Sequence, residues 1–417
     1  MLVQLKELLL TGTGRDTAVV FTGTLINVIL GGLFFILTPR ILGPEAYGLF
    51  SVVLATGLMA VNFANFGIDT GILRFIKPNQ KEANDKILKL ALKAYVAIGL
   101  LIFILGFFLS RPIAHTLGVS AVVDLLKISF AGAIFILLSN FFIATLQSRK
   151  QFTKASLVNI SSNAARLLLL ALASYFLTIN LYVLTILFFS VTIVSIVLGK
   201  LFVPLDFLKA KEEHTHFKNF FGYNFWVAAS LAISAIPIDN YLLVKIAGPL
   251  ATGLYAAPMK ILTITYQFAG GFSRVLASRF SSFDSNQKAK EFSQKALGFV
   301  LVVFAGLIAV SFLAEPFVKI FLGSQYEQSI PIFRILAIGM AFFFADTIPV
   351  SLILYYFGKS KIAFYITVWH YLIYTLLLFI LIQRYSVLGA SISFTLSEII
   401  TFTTLISYVI LKFRNKS

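Results

Sequence analysis

Cysteine is absent from the 417 residues, which excludes disulfides and thiolate metal sites. Charge is scarce as well. Asp, Glu, Lys and Arg make up 12% of the chain, against roughly 25% in a water-soluble domain. Acids are the scarcer sign, 17 against 34 bases, leaving a formal net charge of +17. No Gly-x-x-x-x-Gly-Lys-Ser/Thr phosphate loop occurs, so no built-in ATPase is visible. The opening "MLVQLKELLLTGTGRD" lacks the apolar core and small-residue cleavage site of a signal peptide, and reads as a short interfacial helix. His214 and His216 share one polar loop, and two histidines alone make a poor zinc site.

What the chain has is apolar length. It is 59% hydrophobic with a mean hydropathy of +0.92, and a bilayer span needs about 20 such residues. Runs of that kind lie at about 18–40, 47–68, 88–110, 121–146, 155–178 and 180–202. A second set lies at about 221–246, 251–275, 294–314, 329–356, 362–383 and 386–411. The expectation is an all-α integral membrane protein of about 12 transmembrane helices with no separate soluble domain.

The bases are unevenly placed. With a cytoplasmic N-terminus, 24 of the 34 fall in inner segments and 6 in outer ones. This bias predicts a multi-pass protein of the cell (plasma or inner) membrane with both termini cytoplasmic. Its basic loops would meet anionic membrane lipids. Once the loops are placed no basic and aromatic surface is left for nucleic acid.

One turn occurs twice. "RILGPEAYGLF" (Arg40–Phe50) returns as "KIAGPLATGLY" (Lys245–Tyr255), offset by 205 at every position. Ile41, Gly43, Pro44, Ala46, Gly48 and Leu49 match Ile246, Gly248, Pro249, Ala251, Gly253 and Leu254. The same offset carries Arg74-Phe75 to Arg279-Phe280. Six spans separate the copies, an even number, so both halves enter the membrane in one direction. The expectation is two pseudo-symmetric six-helix lobes, residues 1–205 and 206–417, around a central cavity. In each copy glycine permits a tight reversal and proline ends a helix.

Ionisable residues inside spans cost about 2.5–3.5 kcal/mol each at the centre, so they tend to face a cavity or a partner. Arg166 lies roughly 16 Å deep by helical rise, with no acid near it in sequence. Lys260 follows the second Gly-Pro turn, and Asp239 precedes it at a matching level, so the two are placed to pair. Asp346 precedes Pro349, and Glu398 sits at mid-span. Lys127 and Asp124 are one helical turn apart. The plainer reading of each is a structural ion pair or a snorkelling side chain. The functional reading makes Arg166, Lys260, Arg40, Lys245, Arg74 and Arg279 a cationic lining for an anionic substrate. Arginine suits this because it meets phosphate oxygens bidentately. Asp239, Asp346 and Glu398 are then the candidates for coupling to H+ or Na+, while His370 reads as a packed, hydrogen-bonded residue.

The stretches "TPRILGPEAYGLFS" and "NFGIDTGILRFI" resemble the N-terminal signature of Wzx-type oligosaccharide-lipid flippases. These are polysaccharide transporters of the multidrug/oligosaccharidyl-lipid/polysaccharide exporter superfamily. The resemblance implies a V-shaped pair of six-helix bundles around a cationic cavity. It implies a polyprenyl-(pyro)phosphate-linked oligosaccharide as cargo, moved from the cytoplasmic to the outer leaflet for cell-surface polysaccharide synthesis, without a cofactor. The alternative is a proton- or sodium-coupled multidrug or cation antiporter of the same superfamily. An enzyme such as a glycosyltransferase or glycan polymerase needs acids or arginines on sizeable outer loops, and none is present.

Overall fold

The computed structural model describes residues 12–65, 67–77, 80–210 and 225–414, and these are almost entirely helical. The expected interfacial helix at the N-terminus falls mainly, and the His214–His216 loop wholly, outside the described residues.

Unit 1 comprises Met1–Phe34 and Val53–Ala228, and unit 2 comprises Phe35–Val52 and Ala229–Ser417. In unit 1 run parts of α1 (Gly12–Asn65), then α2 (Ile68–Phe75), α3 (Lys81–Leu117), α4 (Val123–Ser148), α5 (Phe152–Phe176), α6 (Leu181–Ser190) and α7 (Thr192–Phe202). The central helix is α4, packed against α2, α3, α5, α6 and α7. Lipid tails are as apolar as leucine, so helices associate in a bilayer by close packing rather than by a hydrophobic drive. Gly132 of α4 accordingly admits Phe189, and Gly106 of α3 admits Phe130.

Unit 2 takes the middle of α1 and the end of α8 (Phe225–Ser234) together with α9 (Ile238–Leu262), α10 (Ile264–Phe280), α11 (Asn286–Phe312), α12 (Ala314–Phe321), α13 (Ile330–Ala345), α14 (Thr347–Ser351) and α15 (Ser360–Arg414). Here α13 is the buried helix, packed against α9, α11 and α15. Pro349 in α14 has no N–H to return to a preceding carbonyl. Beyond it the chain widens into a π turn over Leu352–Tyr356, closed by the Phe357 N–H donating to the Leu352 carbonyl at 2.8 Å.

Nine segments among the described residues are long and apolar enough to cross a bilayer. Three of them are far too long for one crossing: Thr22–Asn65, Ala232–Phe280 and Ser360–Arg414 have 44, 49 and 55 residues. At 1.5 Å per residue even the shortest would run about 66 Å, twice the hydrocarbon core of about 30 Å. Each contains a helix interrupted by one residue with non-helical backbone angles, Gly43 (φ 75, ψ 167), Gly248 (φ 86, ψ 177) and Ser386 (φ 50, ψ −129). Counting each of the three as a pair of spans turns nine into the twelve expected. The first two breaks are the duplicated glycines, with nearly the same backbone angles 205 positions apart.

Candidate functional site: buried charges in each unit

In unit 1 the deep charge is Arg166, on the leucine- and alanine-rich α5, where helix propensity is high. It is 8% exposed. Nη1 donates to Asn163 Oδ1 at 2.6 Å and Nη2 to the Phe188 carbonyl at 3.0 Å. Asn163 Nδ2 in turn donates to Asn27 Oδ1 at 2.7 Å. The guanidinium stands 4.1 Å from the Phe188 ring centroid and 5.7 Å from that of Phe34. Its Nε has no hydrogen-bond partner. Among the described residues no carboxylate pairs with it. Arg166 is thus a desolvated cation held by neutral dipoles and aromatic faces, the latter worth up to about 2 kcal/mol each when water is excluded. Asp69, an acid of this unit near a span end, is held by Asn65 (2.9 Å) and Tyr95.

In unit 2 the charges form two groups. Around the second Gly-Pro turn, Asp239 Oδ2 accepts from Tyr255 Oη at 3.1 Å, and Tyr255 Oη lies 3.1 Å from Tyr374 Oη. The expected Lys260 partner is elsewhere: its ammonium stands 4.9 Å from the Phe35 ring centroid, and no ion pair within 4.0 Å joins it to Asp239 among the described residues.

The second group lies where α13 and α14 pack on α15. Glu398 is 6% exposed and Asp346 is 7% exposed. Glu398 Oε1 is 3.9 Å from His370 Nε2, whose Nδ1 is 2.8 Å from Thr401 Oγ1. Asp346 Oδ1 is buried without a hydrogen-bond partner. That is costly unless the carboxyl is protonated or meets a cation.

Arg40 is exposed and donates to the Ile320 carbonyl, while Gln325 Nε2 donates to the Arg40 carbonyl at 2.9 Å. Lys245 and Arg279 are exposed. Arg74 falls on α2, but its side chain lies outside the described residues. Lys127 and Asp124 form an ion pair at 2.8 Å.

Two sets of partners are not evident from residue type. Asn27 and Asn163 are 136 positions apart. Tyr255 did carry a signal: it replaces Phe50 of the first copy, so the repeats differ there by one hydroxyl, the one that Asp239 accepts from.

The described helices define an all-helical, multi-pass membrane protein. The structure resembles an inward-facing MATE family multidrug transporter at a TM-score of 0.79, with 13% identity over 94% of both chains. It resembles the lipid II flippase MurJ at 0.75, with 18% identity over 94% of this chain and 87% of that one. In sequence, a putative O-antigen transporter of Shigella flexneri is 24% identical over 383 residues, 87% of this chain and 89% of its relative. Residues 13–283 match the polysaccharide biosynthesis protein family. The chain belongs to that family, and the resemblance to Wzx-type polysaccharide transporters holds.

Proposed function

We propose that this protein is a flippase. It moves a polyprenyl-(pyro)phosphate-linked oligosaccharide from the cytoplasmic to the outer leaflet of the cell membrane, for cell-surface polysaccharide synthesis, with both its termini in the cytoplasm. The observation that carries this reading is Arg166, a buried guanidinium with no carboxylate paired to it among the described residues and with Nε free of a partner. A structural ion pair would have placed an acid beside it. A cation kept by neutral dipoles retains its charge for a visiting anion, and guanidinium suits phosphate. Lys260 offers a second, half-buried cation in its own unit.

Outward movement of each negative charge is favoured by about 2.3 kcal/mol per 100 mV of inside-negative potential. The cargo therefore needs cations along its path more than it needs nucleotide hydrolysis. The acids of unit 2 suit coupling: Asp346 and Glu398 are both buried, and Asp346 has an unpartnered oxygen that would welcome H+ or Na+. The same acids favour a second reading, an ion-coupled antiporter of organic cations, which is the fold-level analogy offered by the MATE neighbour.

The deciding experiment uses proteoliposomes carrying a polyprenyl-pyrophosphate-linked oligosaccharide. The quantity scored is the fraction of glycan reached by an enzyme added outside. Wild type should expose it and Arg166→Ala should not. If wild type leaves the glycan inside but extrudes an organic cation against a proton or sodium gradient, the antiporter reading replaces this one.

A further inference from the structure

A groove of about 480 Å³ is cut into unit 2 between α11, the α13–α14 region and the end of α15. It falls within the range of small-molecule pockets, about 300–1,000 Å³. Its floor is deeply buried and apolar: Val300, Ala345, Leu352 and Val409 are each no more than 6% exposed. Its rim carries Leu297 and Leu301, 47% and 56% exposed, one turn apart on α11. The groove owes its depth to the backbone. Pro349 and the first residue of the π turn, Leu352, both line it. A π turn displaces the following helix from the regular path and often marks a functional place.

The polarity is one-ended. Lys290, Ser293 and Gln294, the polar residues in the lining, all sit in the first turns of α11. The Lys290 ammonium lies 5.3 Å from the ring centroid of Phe413, another lining residue, which is flanked in sequence by Lys412 and Arg414. Among the described residues, no carboxylate forms an ion pair with Lys290. An apolar recess with a cationic end has the charge pattern that complements a phospholipid with an anionic head.

We propose that this groove holds one acyl chain of an anionic phospholipid, with the lipid phosphate at Lys290. The lipid is a resident of unit 2 rather than the cargo. None of the charges discussed above (Arg166, Lys260, Asp239, Asp346 and Glu398) lines the groove. The inference therefore stands whether the protein carries a lipid-linked glycan or an organic cation.

The test uses the purified full-length chain in mixed micelles of equal phosphatidylglycerol and phosphatidylcholine, with the lipid retained after detergent exchange counted by native mass spectrometry. Wild type should keep one phosphatidylglycerol in preference to phosphatidylcholine. Leu301→Trp and, separately, Leu297→Trp fill the rim and should abolish retention. Val302→Trp, at an exposed position outside the lining, should leave it intact. Lys290→Gln should cut the preference for phosphatidylglycerol about fivefold, the worth of one lysine near an anionic surface. Equal retention of both lipids by wild type overturns the proposal, as does retention unchanged in both tryptophan variants. Displacement of phosphatidylglycerol by polyprenyl phosphate at equal mole fraction overturns it too, by making the occupant a carrier tail.

Discussion

Gly48 and Gly253, the same residue in the two copies of the repeated turn, pack against each other's backbone. A methyl carbon on Gly48 would lie 2.8 Å from the Gly253 amide nitrogen and closer still to the Pro249 carbonyl oxygen. One on Gly253 would lie 2.6 Å from the Pro44 carbonyl carbon and closer still to its oxygen. The contact is reciprocal, as a two-fold related pair must be. It explains why the turn is kept in both halves: each copy is the other's binding surface.

Gly48→Ala and Gly253→Ala should therefore each destabilise the protein by about 1–3 kcal/mol, the usual cost of overpacking, because the obstruction is backbone and has no rotamer to escape into. Gly270→Ala, where nothing lies within reach of the added carbon, is the control. Thermal unfolding in detergent, followed by fluorescence-detected size exclusion, reads the difference. The double variant should cost less than the sum, because both methyls strain one contact. Equal melting of all three single variants would remove the steric account.

The two reversals at Gly43 and Gly248 were legible in the sequence because glycine and proline at a constant offset leave a mark that needs no third dimension. The spans were legible for a similar reason, since a bilayer demands about 20 apolar residues from each. The place of Phe35–Val52 within unit 2 was not, because it depends on contacts between segments some 200 positions apart. The expected Asp239–Lys260 pair shows the same limit. Spacing put the two at one level, but it could not show that the Tyr255 hydroxyl would reach the carboxylate and that the lysine would turn to Phe35. The π turn at Leu352–Tyr356 has no sequence signature at all, since one wider turn leaves the apolar pattern of a buried helix unchanged.

Tyr255→Phe restores at that position the residue of the first copy. It should cost about 1 kcal/mol or somewhat more, since a hydrogen bond to a charged acceptor contributes about 1.5–3 kcal/mol and part is recovered by Tyr374. Asp239→Asn with Tyr255→Phe forms a double-mutant cycle, and a coupling energy near zero would mean that the 3.1 Å contact contributes nothing.

Asp346→Asn and Glu398→Gln separate coupling from transport. Both keep side-chain volume and remove charge, so the fold should survive, as detergent melting would show. The prediction is that glycan flipping in proteoliposomes stops responding to an imposed proton or sodium gradient while a basal rate driven by membrane potential persists. Should both variants respond to the gradient like wild type, the coupling group lies elsewhere.

Arg166 supports the sharpest prediction because its two roles respond differently to substitution. As a structural residue it satisfies Asn163 and the Phe188 carbonyl, so Arg166→Ala loses stability as well as transport, each charged hydrogen bond being worth about 1.5–3 kcal/mol. Arg166→Lys keeps the charge but has one nitrogen, which can serve Asn163 or the Phe188 carbonyl while giving up the planar fork. If the guanidinium holds phosphate bidentately, the lysine variant should fold nearly as well as wild type yet flip pyrophosphate-linked glycan at least about tenfold more slowly, a barrier higher by about 1.4 kcal/mol. If Arg166 only braces α5, transport should track stability through both variants. The lysine protein would then flip at close to the wild-type rate.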